Sequence, residues 1–226
     1  MPWLVRDYWQ AFAAFGLFGV FHSVTAREPF KNALARRTSS FFVDHFWRLL
    51  YCIITFYWYN QILWTVWGLH PANNAWLVDY SDWAWQTVTA IHLGSIAVIY
   101  TAFIQSDFLE FLGLKQAWRG ALAAFGGPEP RSALKQFGTR SLEVHGIYGW
   151  VRHPMLGGGL LFYVTQGPTL NAFVFALLYS LYMVIGSYYE ERRLVRIFGP
   201  DYLAYRNRVG AFVPRLGSAL RILEGK

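Results

Sequence analysis

Charge is scarce in this chain: Asp, Glu, Lys and Arg together make up 15% of its 226 residues, while 55% are hydrophobic. A water-soluble domain carries about 25% charged residues, so an ordinary soluble fold is excluded. Cysteine is nearly absent as well. Cys52 is the only one and sits in an apolar stretch, which rules out an intrachain disulfide, a CxxC redox pair and a zinc cluster, so no metal is expected. Features of a cleaved leader are also lacking, because Arg6 and Asp7 precede an apolar run that has no small-residue cleavage site. The first helix is therefore expected to stay. A basic stripe is missing too: despite a net charge of +7, the basic residues flank apolar segments, as in loops facing anionic headgroups. Membrane lipids are the expected partner, and nucleic acid is not.

What is present is a series of long apolar runs. Tyr8 to Thr25 is a run of 18 residues, which as a helix spans about 27 Å, close to the hydrocarbon thickness of a bilayer. Leu49 to Leu69 and Trp83 to Gln105 are similar, with Trp and Tyr near their ends and no charge inside. Two further runs, Val151 to Gln166 and Leu170 to Tyr189, are separated by Gly167-Pro168-Thr169, a turn signal that predicts a tight helical hairpin. The expected fold is all-α with about five transmembrane helices. We read one membrane domain over 1–226: a three-helix part over 1–105, a cytoplasmic connection over 106–150, and a cofactor-binding part over 151–226.

Loop charge predicts the orientation, since Lys and Arg collect on the cytoplasmic side. Arg27, Lys31, Arg36, Arg37 and Arg48 fall in the segment 27 to 48, and Lys115, Arg119, Arg131, Lys135, Arg140 and Arg152 fall in the segment 106 to 153. The tail adds Arg192, Arg193, Arg196, Arg206, Arg208, Arg215, Arg221 and Lys226. In contrast, the segment from His70 to Asp82 holds two aspartates and no Lys or Arg. The N-terminus is expected outside and the C-terminus in the cytoplasm. Gly126-Gly127-Pro128-Glu129-Pro130 breaks any helix in the long connection, which is expected to lie on the cytoplasmic surface.

Ionisable residues at a membrane boundary need a partner, a headgroup or a ligand. Arg152-His153-Pro154 opens the fourth run and Glu190-Glu191 closes the fifth, so a tight hairpin brings them to the same end. Two readings fit this cluster: headgroup contacts with an Arg-Glu pair, or a ligand site. The run Gly157-Gly158-Gly159 likewise permits either close helix packing or close approach of a ligand. Beyond the glutamates, Phe198-Gly199-Pro200-Asp201-Tyr202, Tyr205, Arg206 and Val209 form an aromatic and basic amphipathic tail, which by itself reads as a helix lying in the interface.

The spaced set Arg152-His153-Pro154, Gly158, Glu190-Glu191, Leu194, Phe198-Gly199, Tyr202, Tyr205, Val209 and Pro214 resembles the C-terminal signature of the isoprenylcysteine carboxyl methyltransferase superfamily. Three other stretches are similar to its methanethiol S-methyltransferase branch. They are Phe18-Gly19-Val20-Phe21-His22-Ser23 with Ala26-Arg27 and Phe30-Lys31, the run Phe111 to Trp118, and His145-Gly146-Ile147-Tyr148-Gly149-Trp150-Val151. The resemblance covers most of the chain, with the middle helices alike only in character. Two positions depart from it: the family pattern has Tyr in place of Leu156 and Arg in place of Gly149.

The resemblance implies S-adenosylmethionine as cofactor, with Tyr148, Arg152, His153, Pro154, Gly158, Glu190, Glu191, Tyr202 and Tyr205 as the residues around it. Adjacent helical residues point about 100° apart, so one of the two glutamates is expected to meet the cofactor and the other to pair with Arg152 or Arg193. Methyl transfer requires donor and acceptor held close and in line. A thiol acceptor must also lose its proton, for which His145 and His22 are the candidate bases, each with an alternative reading as a hydrogen-bonded helix histidine. A small thiol is the expected acceptor. An isoprenylcysteine or lipid-like acceptor, and a non-catalytic accessory role in a membrane complex, are the competing readings.

Overall fold

The computed structural model describes residues 2–127 and 142–215, with side chains described from Arg6 onward. Pro128, Glu129, Pro130, Arg131, Lys135, Arg140, Arg221 and Lys226 lie outside the described residues. Among the described residues the architecture is helical and contains no strand longer than an isolated bridge. The helices are α1 (Pro2–Thr25), α2 (Glu28–Arg37), α3 (Ser40–His45), α4 (Trp47–Leu69), α5 (Asp82–Gln105), α6 (Phe108–Phe111), α7 (Leu114–Ala124), α8 (Ile147–Trp150), α9 (Pro154–Val164), α10 (Leu170–Phe198) and α11 (Pro200–Arg208). A single 3-10 turn, Pro71–Asn74, follows α4.

The described residues group into two compact units, one within Met1–Leu69 and Asp107–Arg140, the other within His70–Ser106 and Ser141–Lys226. In the first unit α1 and α4 pack through aromatic rings, with Phe18 lying 6.2 Å from Trp58 and 5.8 Å from Tyr59 between ring centroids. Such edge and tilted contacts bury large apolar area without leaving polar groups unmet. Arg48 donates from Nε to the Phe111 carbonyl at 2.7 Å, capping the end of α6 with a cation. The stretch after Gln105, expected as a surface connection, thus contributes two short helices, α6 and α7, to this unit.

The second unit holds the residues of interest. Its α5 and α10 are the two helices among the described residues that are long and apolar enough to cross a membrane. The helix on the fourth apolar run is shorter than the run itself: α9 has 11 residues, about 16 Å of rise, and starts only at Pro154. Residues 151–153 are withheld from it because Val151 is extended and bridges Gly210 in parallel. Conversely α10 runs on past Tyr189 to Phe198, so Glu190 and Glu191 sit inside a helix of 29 residues rather than at its end.

At the turn between α9 and α10, the Thr169 hydroxyl accepts from the Ala172 N–H at 3.1 Å, capping α10. The segment after Asn74 meets the same turn. Leu77 N–H donates to the Pro168 carbonyl at 2.8 Å, and Asn171 donates to the His70 carbonyl and to Asn74 at 2.8 and 2.7 Å. The loop without Lys or Arg and the hairpin turn therefore share one end of this unit, and His153, one helix length away along α9, lies at the other. Between the ends, Gly158 seats α9 against α5, where an added Cβ would lie 2.8 Å from Ile99 and 3.2 Å from the Ser95 carbonyl.

Helix α11 folds back beneath α10 rather than presenting its aromatic face outward. Tyr202, Tyr205 and Val209 are buried and packed by Leu142, Val144, Leu194, Val195 and Phe198. The amphipathic pattern that reads as an interfacial helix is satisfied inside the protein, because Gly199 reverses the chain at the end of α10 and brings both tyrosines onto its base.

Candidate functional site

The cluster forms where three segments converge: the extended residues before α9, the polar extension of α10, and the chain leaving α11. Arg152 is the hub. Its guanidinium donates from Nε to Glu191 Oε1 at 3.0 Å, with a closer contact from Nη2 to the same oxygen, and from Nη1 to the Arg206 carbonyl at 3.1 Å and to the Val209 carbonyl. One planar cation thus ties α10 to the last turn of α11 and the residue after it, a use to which the fork geometry of arginine is suited.

His153 lies beside it, with its side chain 4% exposed. Its Nε2 is 3.2 Å from Glu191 Oε1 and its Nδ1 is 3.4 Å from Glu190 Oε2, so each ring nitrogen faces a different carboxylate. Burial works against protonation of His153, yet the hydrogen bonds and charges of Glu190 and then Glu191 outweigh it and hold the imidazole above its ordinary pKa. Burial also opposes ionisation of Glu191, but Arg152 and His153 together hold that carboxyl below its ordinary value. The two glutamates differ sharply in surroundings. Glu191, 20% exposed, is taken up by Arg152 and His153, whereas Glu190 keeps 53% of its side-chain surface open.

Tyr148 enters from the other side. Its hydroxyl is 3.4 Å from the Ser106 hydroxyl, and its pKa is raised by burial, with the charges of Glu190 and Glu143 adding to the effect. Its carbonyl accepts from the Tyr205 hydroxyl at 2.6 Å, which makes Tyr205 a strut of the site. The Tyr202 hydroxyl is buried near the Arg152 guanidinium, and burial together with Glu191 pushes it up to about 12.

The turn that bears His145 and Tyr148 is held by a residue that the sequence pattern did not single out. Ile147 N–H donates to Gln105 Oε1 at 2.9 Å, and Gly146, at φ +55, leaves room for the amide of Gln105, which an added Cβ would approach to 1.8 Å. Only glycine takes that backbone conformation so close to another side chain without strain. The one hint in the sequence was a polar residue ending an apolar run.

Of the residues singled out from sequence, the structure brings Tyr148, Arg152, His153, Glu190, Glu191, Tyr202 and Tyr205 together in the second unit. Pro154 is buried at the first turn of α9, and Gly158 meets α5 as described. His145 is exposed on the Gly146 turn, its N–H donating to Glu143 at 3.3 Å. His22 belongs to the first unit, in ring contact with Phe18 and Tyr51 at 5.7 and 5.4 Å.

Two helices long and apolar enough to cross a membrane, with a polar cluster on the polar extension of one of them, define the class: an all-helical membrane protein. The chain is 30% identical over 209 residues to methanethiol S-methyltransferase of Mycobacterium tuberculosis, covering 88% of this chain and 75% of the relative. It is 31% identical over 208 residues to methanethiol S-methyltransferase of Pseudomonas deceptionensis, covering 88% and 70%. Protein-S-isoprenylcysteine O-methyltransferase of Schizosaccharomyces pombe matches at 32% over 118 residues, 49% of each chain. No protein-family model matches the chain, and no solved structure does. The chain belongs to the methanethiol S-methyltransferase family of the isoprenylcysteine carboxyl methyltransferase superfamily.

Proposed function

We propose that this protein is an S-adenosylmethionine-dependent membrane methyltransferase whose acceptor is a small thiol. The observation that carries the reading is the half-exposed Glu190 carboxylate set against the partly buried Glu191 and the more deeply buried Arg152 and His153 side chains. The residues fit the cofactor: Glu191 is taken up by Arg152 and His153, and Glu190, with 53% of its side chain exposed, is the carboxylate still open to a cationic ligand. When bound, S-adenosylmethionine supplies an electrophilic methyl group on a sulfonium centre.

Glu190 holds cationic parts of the cofactor, with His153 fixing the carboxylate from behind. Arg152 and Glu191 keep the three segments in register, and Tyr148 and Ser106 offer hydroxyls at the same end of the unit. His145, exposed on the neighbouring turn, is the candidate to take the thiol proton. In this reading the cluster faces the cytoplasm, from which a water-soluble cofactor arrives, and an apolar thiol reaches the site from the bilayer. The rate gain expected of such a site comes from holding donor and acceptor in line.

The test is transfer from labelled S-adenosylmethionine to a panel of thiols by the purified protein. A volatile methyl thioether in the headspace, lost in Glu190→Gln, is the expected result. Transfer to a prenylcysteine analogue with none to small thiols reassigns the acceptor, and cofactor binding with transfer to neither overturns the enzymatic reading.

A further inference from the structure

The tail beyond α11 is built to deliver one aromatic ring onto His153. Arg152 N–H donates to the Gly210 carbonyl at 2.8 Å and His153 N–H to the Ala211 carbonyl at 3.0 Å, so the chain at 210–211 runs alongside the residues that open α9. Gly210 is required there, since an added Cβ would lie 2.0 Å from the Val213 carbonyl oxygen. This tight turn sets the Phe212 ring 5.5 Å from the His153 ring, at 36° between planes. It also lays the Phe212 backbone and ring against the first turn of α9, where a Cβ on Gly157 would find its carbonyl oxygen at 3.7 Å and its Cδ1 at 3.9 Å.

His153 has its two nitrogens on two carboxylates, 3.4 Å from Glu190 and 3.2 Å from Glu191. Those contacts hold the ring edge at two points. They leave its tilt about the line between them free, and a tilt turns the ring plane and both N–H directions out of line with the carboxylates. A ring in tilted contact with the imidazole, 5.5 Å between centroids, restricts that freedom, and such an aromatic contact is favourable in itself.

We propose that Phe212 is a positioning residue that fixes the plane of His153 and through it the Glu190 carboxylate, so that the tail turn at 210–213 sets how tightly the site takes a cationic cofactor. This rests on the reading of the site as one for S-adenosylmethionine. Phe212 acts through His153, not on the reacting atoms.

The experiment measures S-adenosylmethionine binding by calorimetry to the full chain in detergent, together with NMR of the imidazole of His153 in cofactor-free protein. Phe212→Ala and Phe212→Leu are expected to weaken binding about 3- to 10-fold, the range an aromatic contact is worth, and to move or broaden the His153 signals. Phe212→Tyr should restore both, and kcat at saturating cofactor should stay near that of the wild type. Phe212→Leu keeps apolar bulk, so a fold lost only in the alanine variant leaves the test intact. Wild-type binding with Phe212→Leu unchanged in affinity and in its His153 signals overturns the inference alone. Failure of the wild-type protein to bind S-adenosylmethionine defeats the proposed function, and unchanged His153 signals in Phe212→Leu would still count separately against the role of the ring.

Discussion

Arg152 and Glu191 form a largely buried ion pair, with side chains 8% and 20% exposed, and the same guanidinium reaches the Arg206 and Val209 carbonyls of the returning chain. The pair therefore joins segments that are far apart in sequence. Breaking such a pair from one side leaves a buried charge without its partner, which costs about 3 to 5 kcal/mol. Arg152→Ala and Glu191→Gln are expected to lower the thermal unfolding midpoint in detergent by many degrees, whereas Glu190→Gln should lower it less and should weaken cofactor binding. Equal destabilisation by both glutamate variants would contradict the division of labour between them.

The turn at Gly146 offers a local test. Its φ of +55 and the nearness of Gln105 mean that Gly146→Ala must displace the amide that accepts from Ile147 N–H. Backbone strain of this kind costs about 1 to 3 kcal/mol. Gly146→Ala and Gln105→Ala should each loosen the turn, seen as faster amide exchange at Ile147 and Tyr148. Exchange rates equal to wild type in both variants would show that Gln105 does not hold the turn.

The titration of the cluster sets a pH window. The pKa of His153 is raised from its ordinary 6.5, so its contribution to stability is full below that value and is lost as pH rises through the higher folded value. Glu191 is lowered from its ordinary 4.5, so its contribution is full above that value and is lost as pH falls through the lower folded one. Stability from the cluster should be greatest between about 4.5 and 6.5 and decline on the alkaline side first through His153. A series of unfolding midpoints against pH checks this, and His153→Gln should flatten the alkaline limb. An alkaline limb that persists in that variant would assign it to another group.

Orientation is open to a labelling experiment. The absence of Lys and Arg between His70 and Asp82 leads us to expect that segment outside. Asn74 is engaged by Asn171, so the better probe is the exposed Asp79, replaced by cysteine in a Cys52→Ser background. An impermeant thiol reagent applied outside intact cells should label it. Labelling only after the membrane is opened would reverse the proposed orientation.

Much of the site is legible in the amino-acid order alone. Apolar runs bounded by Trp, Tyr and charge mark helices because a chain in lipid must satisfy its backbone internally, and α5 and α10 follow the runs that marked them. The turn at Gly167-Pro168-Thr169 carries its own chemistry in its residues, and placing Arg152-His153 and Glu190-Glu191 at one end needs little more than that turn.

Other features could not be read in one dimension. Periodicity gives the outer limits of an apolar run, but hydrogen bonds from Arg152 and His153 to the carbonyls of the distant Gly210 and Ala211 take Val151 to His153 out of the helix, so α9 begins three residues late. An amphipathic pattern says that α11 has an apolar face and not what covers it; the reversal at Gly199 puts Tyr202 and Tyr205 against protein. Adjacent glutamates look alike in sequence, and only the position of the Arg152 guanidinium makes Glu191 the structural member and leaves Glu190 open. Gln105 and Phe212 carry no signature at all, because their roles depend on contacts with Ile147 and His153 across 42 and 59 positions of chain. The sequence by itself determined which residues are apolar, which are charged and where the chain can turn, since those follow from side-chain chemistry and local backbone preference. Which carboxylate meets which cation, and which ring lies on His153, was decided by the tertiary structure, because hydrogen bonds and ring contacts depend on distances that only the folded chain defines.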